Sequence, residues 1–296
     1  MKQITRQTVL SLLPGRPAQA HKGCFGRVLV VAGSSTMCGA GFLTALGALR
    51  AGAGLVAWAL PQSLQPTFAA ALPEVITLPL SQKSDGTIAA QAQSELEKFC
   101  ATFHPTVLAV GPGMSTSELF YFLLEKNNCP KVLDADALNF LAAHPAVKMP
   151  TGTPCIFTPH PGEMARLLHT EVASDTPARE AQARAWARQT GGVCVLKGAH
   201  TLVATPDEIW QNTTGSVALA KGGSGDVLTG VIAGMWAQLG ATQKNALAAA
   251  LCGVYLHGLA GEIAAEKYSC YSVLARETAQ EISTALKQIL QTGRNG

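Results

Sequence analysis

The stretch KGGSGDVLTG, residues 221–230, sets one carboxylate, Asp226, among three glycines and ahead of an apolar segment. Gly222, Gly223 and Gly225 leave successive backbone N–H groups uncovered by side chains, and such a run forms a concavity that binds anions. The apolar segment predicts a helix, whose N-terminus also favours negative charge. The stretch therefore predicts an anion pocket, with Asp226 beside it and ionised.

A carboxylate beside a phosphate pocket can take the proton from a hydroxyl that attacks a phosphoryl group. The backbone donors would then stabilise the charge that grows on the transferred group. The alternative is an Asp that caps a helix after a flexible loop, and for an isolated GGxGD pattern the two interpretations are about equally strong. The pattern lacks the GKS or GKT order of a Walker loop and does not directly follow a strand, as a dinucleotide fingerprint does.

The elements that must position this pocket come from an alternation of short apolar runs and segments of helical period. Buried strands are predicted at 27–33, 55–60, 106–111, 131–136, 155–160 and 193–198. Helices are predicted at 39–54, 88–101, 116–127, 137–144, 162–169 and 177–190. This alternation predicts an α/β fold with a mostly parallel central sheet and helices on both faces.

After residue 200 the pattern changes to a short hairpin around Pro206, followed by helices at 225–239, 243–267 and 272–291. These helices are rich in Ala and Gly, and the sequence contains no repeat and no linker. We therefore expect one domain over residues 1–296, with residues 1–20 as an N-terminal extension. His257, on the second of these helices, is interpreted as a core histidine with satisfied hydrogen bonds.

Polar or glycine-rich residues follow several of the predicted strands, at 111–113, 134–136, 158–163 and 197–198. Ligands of open α/β sheets bind beyond the carboxyl ends of the strands, so these residues and the glycine-rich stretch predict one site. Asp134, Asp136 and Asn139 could organise the waters of a Mg²⁺ ion or the phosphates of a nucleotide. Roles in the core or as caps are equally open for these three residues.

Composition excludes several classes of protein. Charged residues make up 14% of the chain, against about 25% in an average domain. The net charge of +3 is scattered without a basic stripe, which argues against nucleic acid. The eight cysteines lack the spacing of a metal or redox motif and indicate a reducing compartment. No apolar run is expected to span a membrane, so we expect a soluble cytoplasmic protein, and the apolar helices suggest a homotetramer.

The stretch TTGSVALAKGGSGDVLTG (213–230) resembles the anion-hole motif of the ribokinase-like superfamily, and more narrowly that of the ADP/ATP-dependent NAD(P)H-hydrate dehydratases. HKGCFGRVLVVAGS (21–34), FTPHPGEMARLL (157–168) and VLKGAHTLVATPD (195–207) are similar to stretches of that family, in the family's order. The chain departs from the pattern at Ser216 and Val217, where many members have Asn and Pro. Because about 20 residues precede the match, we expect a stand-alone form, with the family's epimerase on a separate chain.

The resemblance implies a ribokinase-like fold and a lyase that dehydrates (6S)-NADHX or NADPHX, the C6 hydrates of NADH and NADPH, at the expense of ADP or ATP. The C6 hydroxyl is phosphorylated and phosphate is then eliminated, with Mg²⁺ as cofactor and Asp226 as catalytic base. No metal-ligating residue is assigned. The hydrate is expected to contact Ala40, Gly41, Gly113, His160 and Asp226. The nucleotide is expected to contact Lys197, Gly198, Ala199, His200, Thr201, Gly222, Gly223 and Gly225.

Alternatives remain at two of these positions and for the activity itself. His160 could be a capping histidine, and Lys197 a solvated charge at a strand end. A kinase of a small vitamin-precursor alcohol would share GGSGD and its aspartate, but TPHPGE together with HKGxxG favours the dehydratase. A non-catalytic nucleotide-binding regulator is disfavoured, because a pure binder has no need of a base beside phosphates.

Overall fold

The computed structural model describes residues 1–291, and a ten-stranded sheet runs through this part of the chain. The strands are β1 (Lys2–Ile4), β2 (Arg27–Val31), β3 (Leu55–Pro61), β4 (Ile76–Leu80), β5 (Val107–Val110), β6 (Lys131–Leu133), β7 (Cys155–Phe157), β8 (Val193–Leu196), β9 (Leu202–Ala204) and β10 (Ile209–Asn212). Their order in the sheet is β1-β10-β9-β8-β7-β6-β5-β2-β3-β4. All neighbours are parallel except β9, which is antiparallel to both β8 and β10, so the predicted mostly parallel sheet with one hairpin is confirmed.

Helices cover both faces of the sheet. They are α1 (Arg6–Leu12), α2 (Cys38–Ala51), α3 (Gln65–Ala71), α4 (Ala92–Phe103), α5 (Leu119–Tyr121), α6 (Asp136–Ala143), α7 (Pro161–Leu168), α8 (Thr176–Thr190), α9 (Ser224–Gln238), α10 (Gln243–Tyr268) and α11 (Ala275–Gln291). Side chains alternate across a strand, so Val28 and Val30 join one hydrophobic core while Leu29 and Val31 join the other. The first core includes α2, α9, α10 and α11, and the second includes α4 to α8.

The N-terminal extension packs against the rest of the fold. Strand β1 pairs in parallel with β10, and Ile4 and Val9 are fully buried in the first core. Three residues of strand carry no recognisable period, which explains why the sequence does not predict this element. The predicted helix over 116–127 is shorter than expected: α5 is followed by a π-helical turn at Phe122–Lys126.

Helix α10 corrects the expectation that no apolar run could cross a membrane. By length and composition it could span one, with a mean hydropathy of 1.5 over its most apolar window. However, 72% of that window is buried inside the fold, as in the core helix of a globular protein. The helix is apolar because it packs against α9 and α11 and beneath the sheet.

Close contact between α2 and α9 determines where the start of α9 lies in the fold. A Cβ atom built on Gly230 would lie 1.9 Å from the Thr44 carbonyl oxygen, so only glycine allows the two helices to approach this closely. The first turn of α2 and the first turn of α9 consequently start side by side, at the carboxyl edge of the parallel strands.

Candidate active site

Four neighbouring parallel strands end at one edge of the sheet. The residues that follow β5, β6, β7 and β8 include Gly113, Asp134, His160 and Lys197 respectively. Helix α9 starts at the same edge. Thr229, on this helix, donates a hydrogen bond to the carboxylate of Asp134. The structure therefore brings together the strand ends that the sequence predicted would form one site.

Lys197 is the centre of a charged cluster at this edge. Its Nζ lies 2.6 Å from Asp134 Oδ1 and 3.8 Å from Glu163 Oε2. The Lys197 side chain is 19% exposed, so it is not the solvated edge charge that the sequence left as an alternative. Burial by itself would lower the pKa of Lys197, but Asp134 and Glu163 outweigh burial and hold that pKa above its ordinary value.

Asp226 is the third residue of helix α9 and lies next to this cluster. Burial raises its pKa to about 7, the negative charges of Asp134 and Asp136 act in the same direction, and Lys197 opposes them. With a pKa of about 7, Asp226 is partly ionised near neutral pH, whereas the sequence predicted that it stays ionised. Desolvation is the largest influence on this pKa, because burial disfavours the charged carboxylate.

The three glycines of the segment differ in their surroundings. Gly223 begins helix α9 with a φ of 90°, and a Cβ there would meet Leu43 and Ala275 at 2.6 and 2.9 Å. A Cβ on Gly225 would lie 3.3 Å from Lys197 Nζ. Gly222 is exposed, and a Cβ there would meet no atom within 4 Å. A side chain would therefore clash with its neighbours at Gly223 and crowd Lys197 at Gly225, whereas Gly222 has space for one.

A cavity of about 510 Å³ opens beside the start of α9. All five residues of the predicted nucleotide stretch, Lys197 to Thr201, line it, together with Ser224, Gly225 and the segment 212–217. Gly222 and Gly223 do not line it. The cavity has the size and the mixed lining of a small-molecule site.

His257 lines the same cavity, and the satisfied hydrogen bonding that the sequence predicted for it is met only in part, by the Ser224 backbone. The residue is 7% exposed, yet within residues 1–291 its Nε2 has no hydrogen-bond partner. Burial lowers the pKa of His257 to about 4, so the ring is neutral at physiological pH. The lone histidine on a small-residue helix gave no signal of this, because only the fold turns that helix face towards the cavity.

His160 caps helix α7, which is the alternative that the sequence left open. Its Nδ1 accepts hydrogen bonds from the backbone N–H groups of Gly162 and Glu163, at 3.0 and 3.3 Å. The Glu163 carboxylate accepts one in return from the His160 backbone N–H at 2.7 Å, which completes a capping box. The side chain is 49% exposed, and burial and Lys197 lower its pKa. A neutral ring that accepts at Nδ1 carries its proton on Nε2.

Ala40 and Gly113 adjoin each other, while Gly41 faces elsewhere. A Cβ on Gly113, whose φ is +64°, would lie 2.9 Å from the Ala40 Cβ. A Cβ on Gly41 would lie 2.3 Å from the Trp58 ring, so this glycine allows the α2 backbone to pack on a buried indole. Gly41 is thus accounted for by packing. Ala40, Gly113 and His160 all lie outside the cavity that Lys197 lines.

Asp136 and Asn139 have structural partners. The Asp136 carboxylate accepts a hydrogen bond from the Ser115 backbone N–H at 2.7 Å, and Asn139 Oδ1 accepts one from Arg166 Nε at 3.1 Å. In the part of the chain that the structure describes, no group of three or more His, Cys, Asp or Glu side chains could hold a metal ion.

Comparison with known proteins connects this site to a family. A sequence model described as NAD(P)H-hydrate dehydratase matches residues 28–284. The chain belongs to the NAD(P)H-hydrate dehydratase family. The ADP-dependent (S)-NAD(P)H-hydrate dehydratase of Bacillus subtilis is 36% identical over 288 residues, which cover 96% of this chain and 97% of that protein.

Two other relatives of this dehydratase-family chain are longer than it is. The bifunctional NAD(P)H-hydrate repair enzyme Nnr of Moorella thermoacetica is 42% identical over 291 residues, which cover 97% of the chain but 54% of that enzyme. Its Gloeobacter violaceus counterpart is 40% identical, and the match covers 50% of it. The chain thus spans about half the length of these bifunctional relatives.

Solved structures support the family fold. The ADP/ATP-dependent NAD(P)H-hydrate dehydratase of Bacillus subtilis, co-crystallised with ATP/Mg²⁺, superposes with a TM-score of 0.82 at 33% identity and covers 97% of this chain. A ribokinase-like superfamily protein of Enterococcus faecalis superposes equally well, with a TM-score of 0.82 at 24% identity. The predicted ribokinase-like α/β fold is confirmed.

Proposed function

We propose that this chain is a lyase that dehydrates (6S)-NADHX and NADPHX to NADH and NADPH at the expense of ADP or ATP. One observation carries the proposal: Asp226 directly follows Gly225, which lines a cavity together with Lys197 to Thr201, and burial raises the pKa of Asp226 to about 7. A base of that strength at neutral pH is suited to take a proton from an attacking hydroxyl. Family membership and the names of the relatives supply the substrate.

The first chemical step would be phosphoryl transfer. The C6 hydroxyl oxygen of the hydrate attacks the terminal phosphorus of the nucleotide, the bond from that phosphorus to the bridging oxygen breaks, and Asp226 takes the hydroxyl proton. With ADP the products are AMP and a C6 phosphate ester. Lys197 and the backbone N–H groups at the start of α9 would stabilise the charge on the transferred group.

The second step would be elimination. The lone pair of the ring nitrogen assists cleavage of the bond between C6 and oxygen, phosphate leaves, and loss of a proton from C5 restores the dihydropyridine ring. Phosphorylation is needed because hydroxide is a poor leaving group. The net change is hydrate plus ADP to reduced dinucleotide, AMP and phosphate.

We assign roles to the predicted residues as part of the same proposal. Asp226 is the base, Lys197 to Thr201 with Gly225 bind the nucleotide, and Ala40, Gly113 and His160 bind the hydrate. Gly223 shapes the turn into α9 and Gly41 packs against Trp58. Mg²⁺ would arrive on the nucleotide phosphates, since residues 1–291 form no cluster suited to hold it and Asp134 is already paired with Lys197.

The remaining expectations belong to the same proposal. We expect a single domain over residues 1–296, a homotetramer in the cytoplasm, and an NAD(P)HX epimerase as the functional partner. Light scattering of the purified protein measures the oligomeric state. A monomer at micromolar concentration would contradict the tetramer without affecting the proposed reaction.

The activity is tested by mixing the protein with NADHX and either ADP or ATP and following the return of NADH absorbance. Absorbance should return only when hydrate and nucleotide are both present, with AMP formed from ADP in equal amount. The kinase alternative would instead consume nucleotide with a small vitamin-precursor alcohol and form no NADH. Absence of NADH formation with both nucleotides would refute the proposed function.

A further inference from the structure

The carboxylate of Asp134 is bound on both of its oxygens by residues from two other elements. Lys197 Nζ, at the end of β8, lies 2.6 Å from Oδ1, and Thr229 Oγ1, on α9, donates to Oδ2 at 2.8 Å. The Asp134 side chain, which follows β6, is 2% exposed. We propose that Asp134 is a positioning residue, which holds the Lys197 ammonium against the start of α9 and sets a second negative charge beside Asp226. This inference rests on the proposed function.

The position of the ammonium group follows from its distances to the helix. A Cβ built on Gly225 would lie 3.3 Å from Lys197 Nζ and 3.7 Å from Asp134 Oδ2, so both groups lie against the first turn of α9. That turn is where the backbone N–H groups would meet the transferred phosphoryl group. A lysine placed there, at the wall of the nucleotide cavity, can stabilise the transition state.

A lysine needs such a partner because its ammonium is a point charge on a flexible stem of four carbons. Without Asp134, the next anion is Glu163, whose Oε2 lies 3.8 Å from Nζ and which already accepts a hydrogen bond from the His160 backbone. Lys197 would then be drawn towards α7 and away from Gly225. Fixing a charged group in advance lowers the reorganisation required when the transition state forms.

Asp134 also acts on Asp226, which several charged groups face. Asp134, Asp136 and Lys197 act on it directly, and Glu163 and His257 in turn face Lys197. After burial, Asp134 is the largest influence that raises the pKa of Asp226. Removing the charge of Asp134 should therefore lower the pKa of Asp226 and weaken it as a base.

The test compares Asp134→Asn with Asp136→Asn. Both changes remove one negative charge near Asp226, but Asp136 contacts the Ser115 backbone and makes no contact with Lys197. We expect Asp134→Asn to lower kcat by about 10- to 100-fold, the scale of a misplaced catalytic group, with ADP affinity changed only a few-fold. The acidic limb of its pH–rate profile should move to lower pH. Asp136→Asn should lower kcat less and should move the acidic limb of the pH–rate profile less.

Thr229 provides a second route if Asp134→Asn does not fold. Thr229→Val removes the donor to Asp134 at nearly constant shape, and Thr229→Ser keeps the hydroxyl. We expect Thr229→Val to lower kcat several-fold and Thr229→Ser to restore it. If Thr229→Val, and Asp134→Asn where it folds, keep kcat within about twofold of the wild type, Asp134 is not a positioning residue.

A measurement without substrate separates this inference from the proposed function. Carboxyl ¹³C NMR of nucleotide-free protein follows the titration of Asp226, with Asp226→Asn to assign its signal. The pKa of Asp226 should be lower in Asp134→Asn than in the wild type, and an unchanged pKa would overturn the inference. If the pKa shifts but the wild type forms no NADH, the juxtaposition of Asp134 and Asp226 stands and the proposed function fails.

Discussion

Helices α7 and α9 begin at the same edge of the sheet, and each has a carboxylate as its third residue: Glu163 and Asp226. Helix α7 starts from His160, whose side chain and backbone complete a capping box with Glu163. Helix α9 starts from Gly223, which provides no side-chain cap. The same position is therefore occupied by a carboxylate that is used in folding on one helix and by a carboxylate available for chemistry on the other.

The electrostatics of the two groups differ accordingly. Burial raises the pKa of Glu163, while Lys197 and the hydrogen bond from the His160 backbone act against it. Burial also raises the pKa of Asp226, but no hydrogen bond offsets it within the described chain, and the pKa reaches about 7. A carboxylate that lacks hydrogen-bond donors and is partly desolvated is a stronger base than one that completes a cap. Helix position alone therefore does not distinguish a carboxylate that completes a cap from one that is buried without hydrogen-bond donors.

The sharpest test of this comparison exchanges each carboxylate for its amide. Asp226→Asn keeps the shape and removes the base, so turnover should fall by about 10²- to 10⁴-fold with nucleotide binding near that of the wild type. Glu163→Gln keeps an acceptor for the His160 backbone N–H, and Gln also completes a capping box. Glu163→Gln also removes a charge 3.8 Å from Lys197 Nζ but leaves Asp134 at 2.6 Å, so NADH formation should fall by only about three- to tenfold.

The same pair of variants can contradict the comparison. Equal losses in Asp226→Asn and Glu163→Gln would mean that both carboxylates act in the chemistry, or that neither does so alone. Calorimetric titration with ADP checks that the nucleotide site is intact in each variant. Turnover by Asp226→Asn close to that of the wild type would remove Asp226 from the mechanism.

A smaller effect is expected from methyl groups placed before and inside the first turn of α9. Gly225→Ala puts a Cβ 3.3 Å from Lys197 Nζ at the cavity wall, so we expect ADP affinity to fall about tenfold. Gly222→Ala puts a Cβ into open space and should leave ADP affinity unchanged. Isothermal calorimetry measures both affinities, and circular dichroism should show both variants folded. Equal affinities in the two variants would mean that the approach of Gly225 to Lys197 plays no part in binding.

The smallest effect separates the two roles of His160 on α7. His160→Ala removes the cap and should lower the free energy of unfolding by about 1 kcal/mol, whereas Asn in its place can still cap the helix. Both variants lose the Nε2–H donor, so both should raise KM for the hydrate several-fold and leave ADP affinity nearly unchanged. Denaturant unfolding and steady-state kinetics provide the two measurements. A normal KM in His160→Asn would mean that His160 acts through the cap alone.

Much of the architecture could be predicted because it depends on local patterns. The apolar run 193–198 and the helical period at 177–190 reflect burial on one face or both, and the structure places β8 and α8 there. Strand β1 could not be predicted, because three residues become a strand only by pairing with β10 about two hundred residues later. Helix α10 was predicted, but only the fold shows that its apolar surface is buried, since hydropathy does not distinguish a protein core from a membrane.

The sequence by itself determined which residues could do chemistry: the glycines and Asp226 of 221–230, and the stretch Lys197 to Thr201. Only the tertiary structure joined Lys197 to Asp134, 63 positions away, and Thr229 to Asp134, 95 positions away. It also buried Asp226, which raises the pKa of that carboxyl to about 7. The physical reason is that residue type and helix position are properties of the local chain, whereas desolvation and charge pairing depend on which distant segments surround a group.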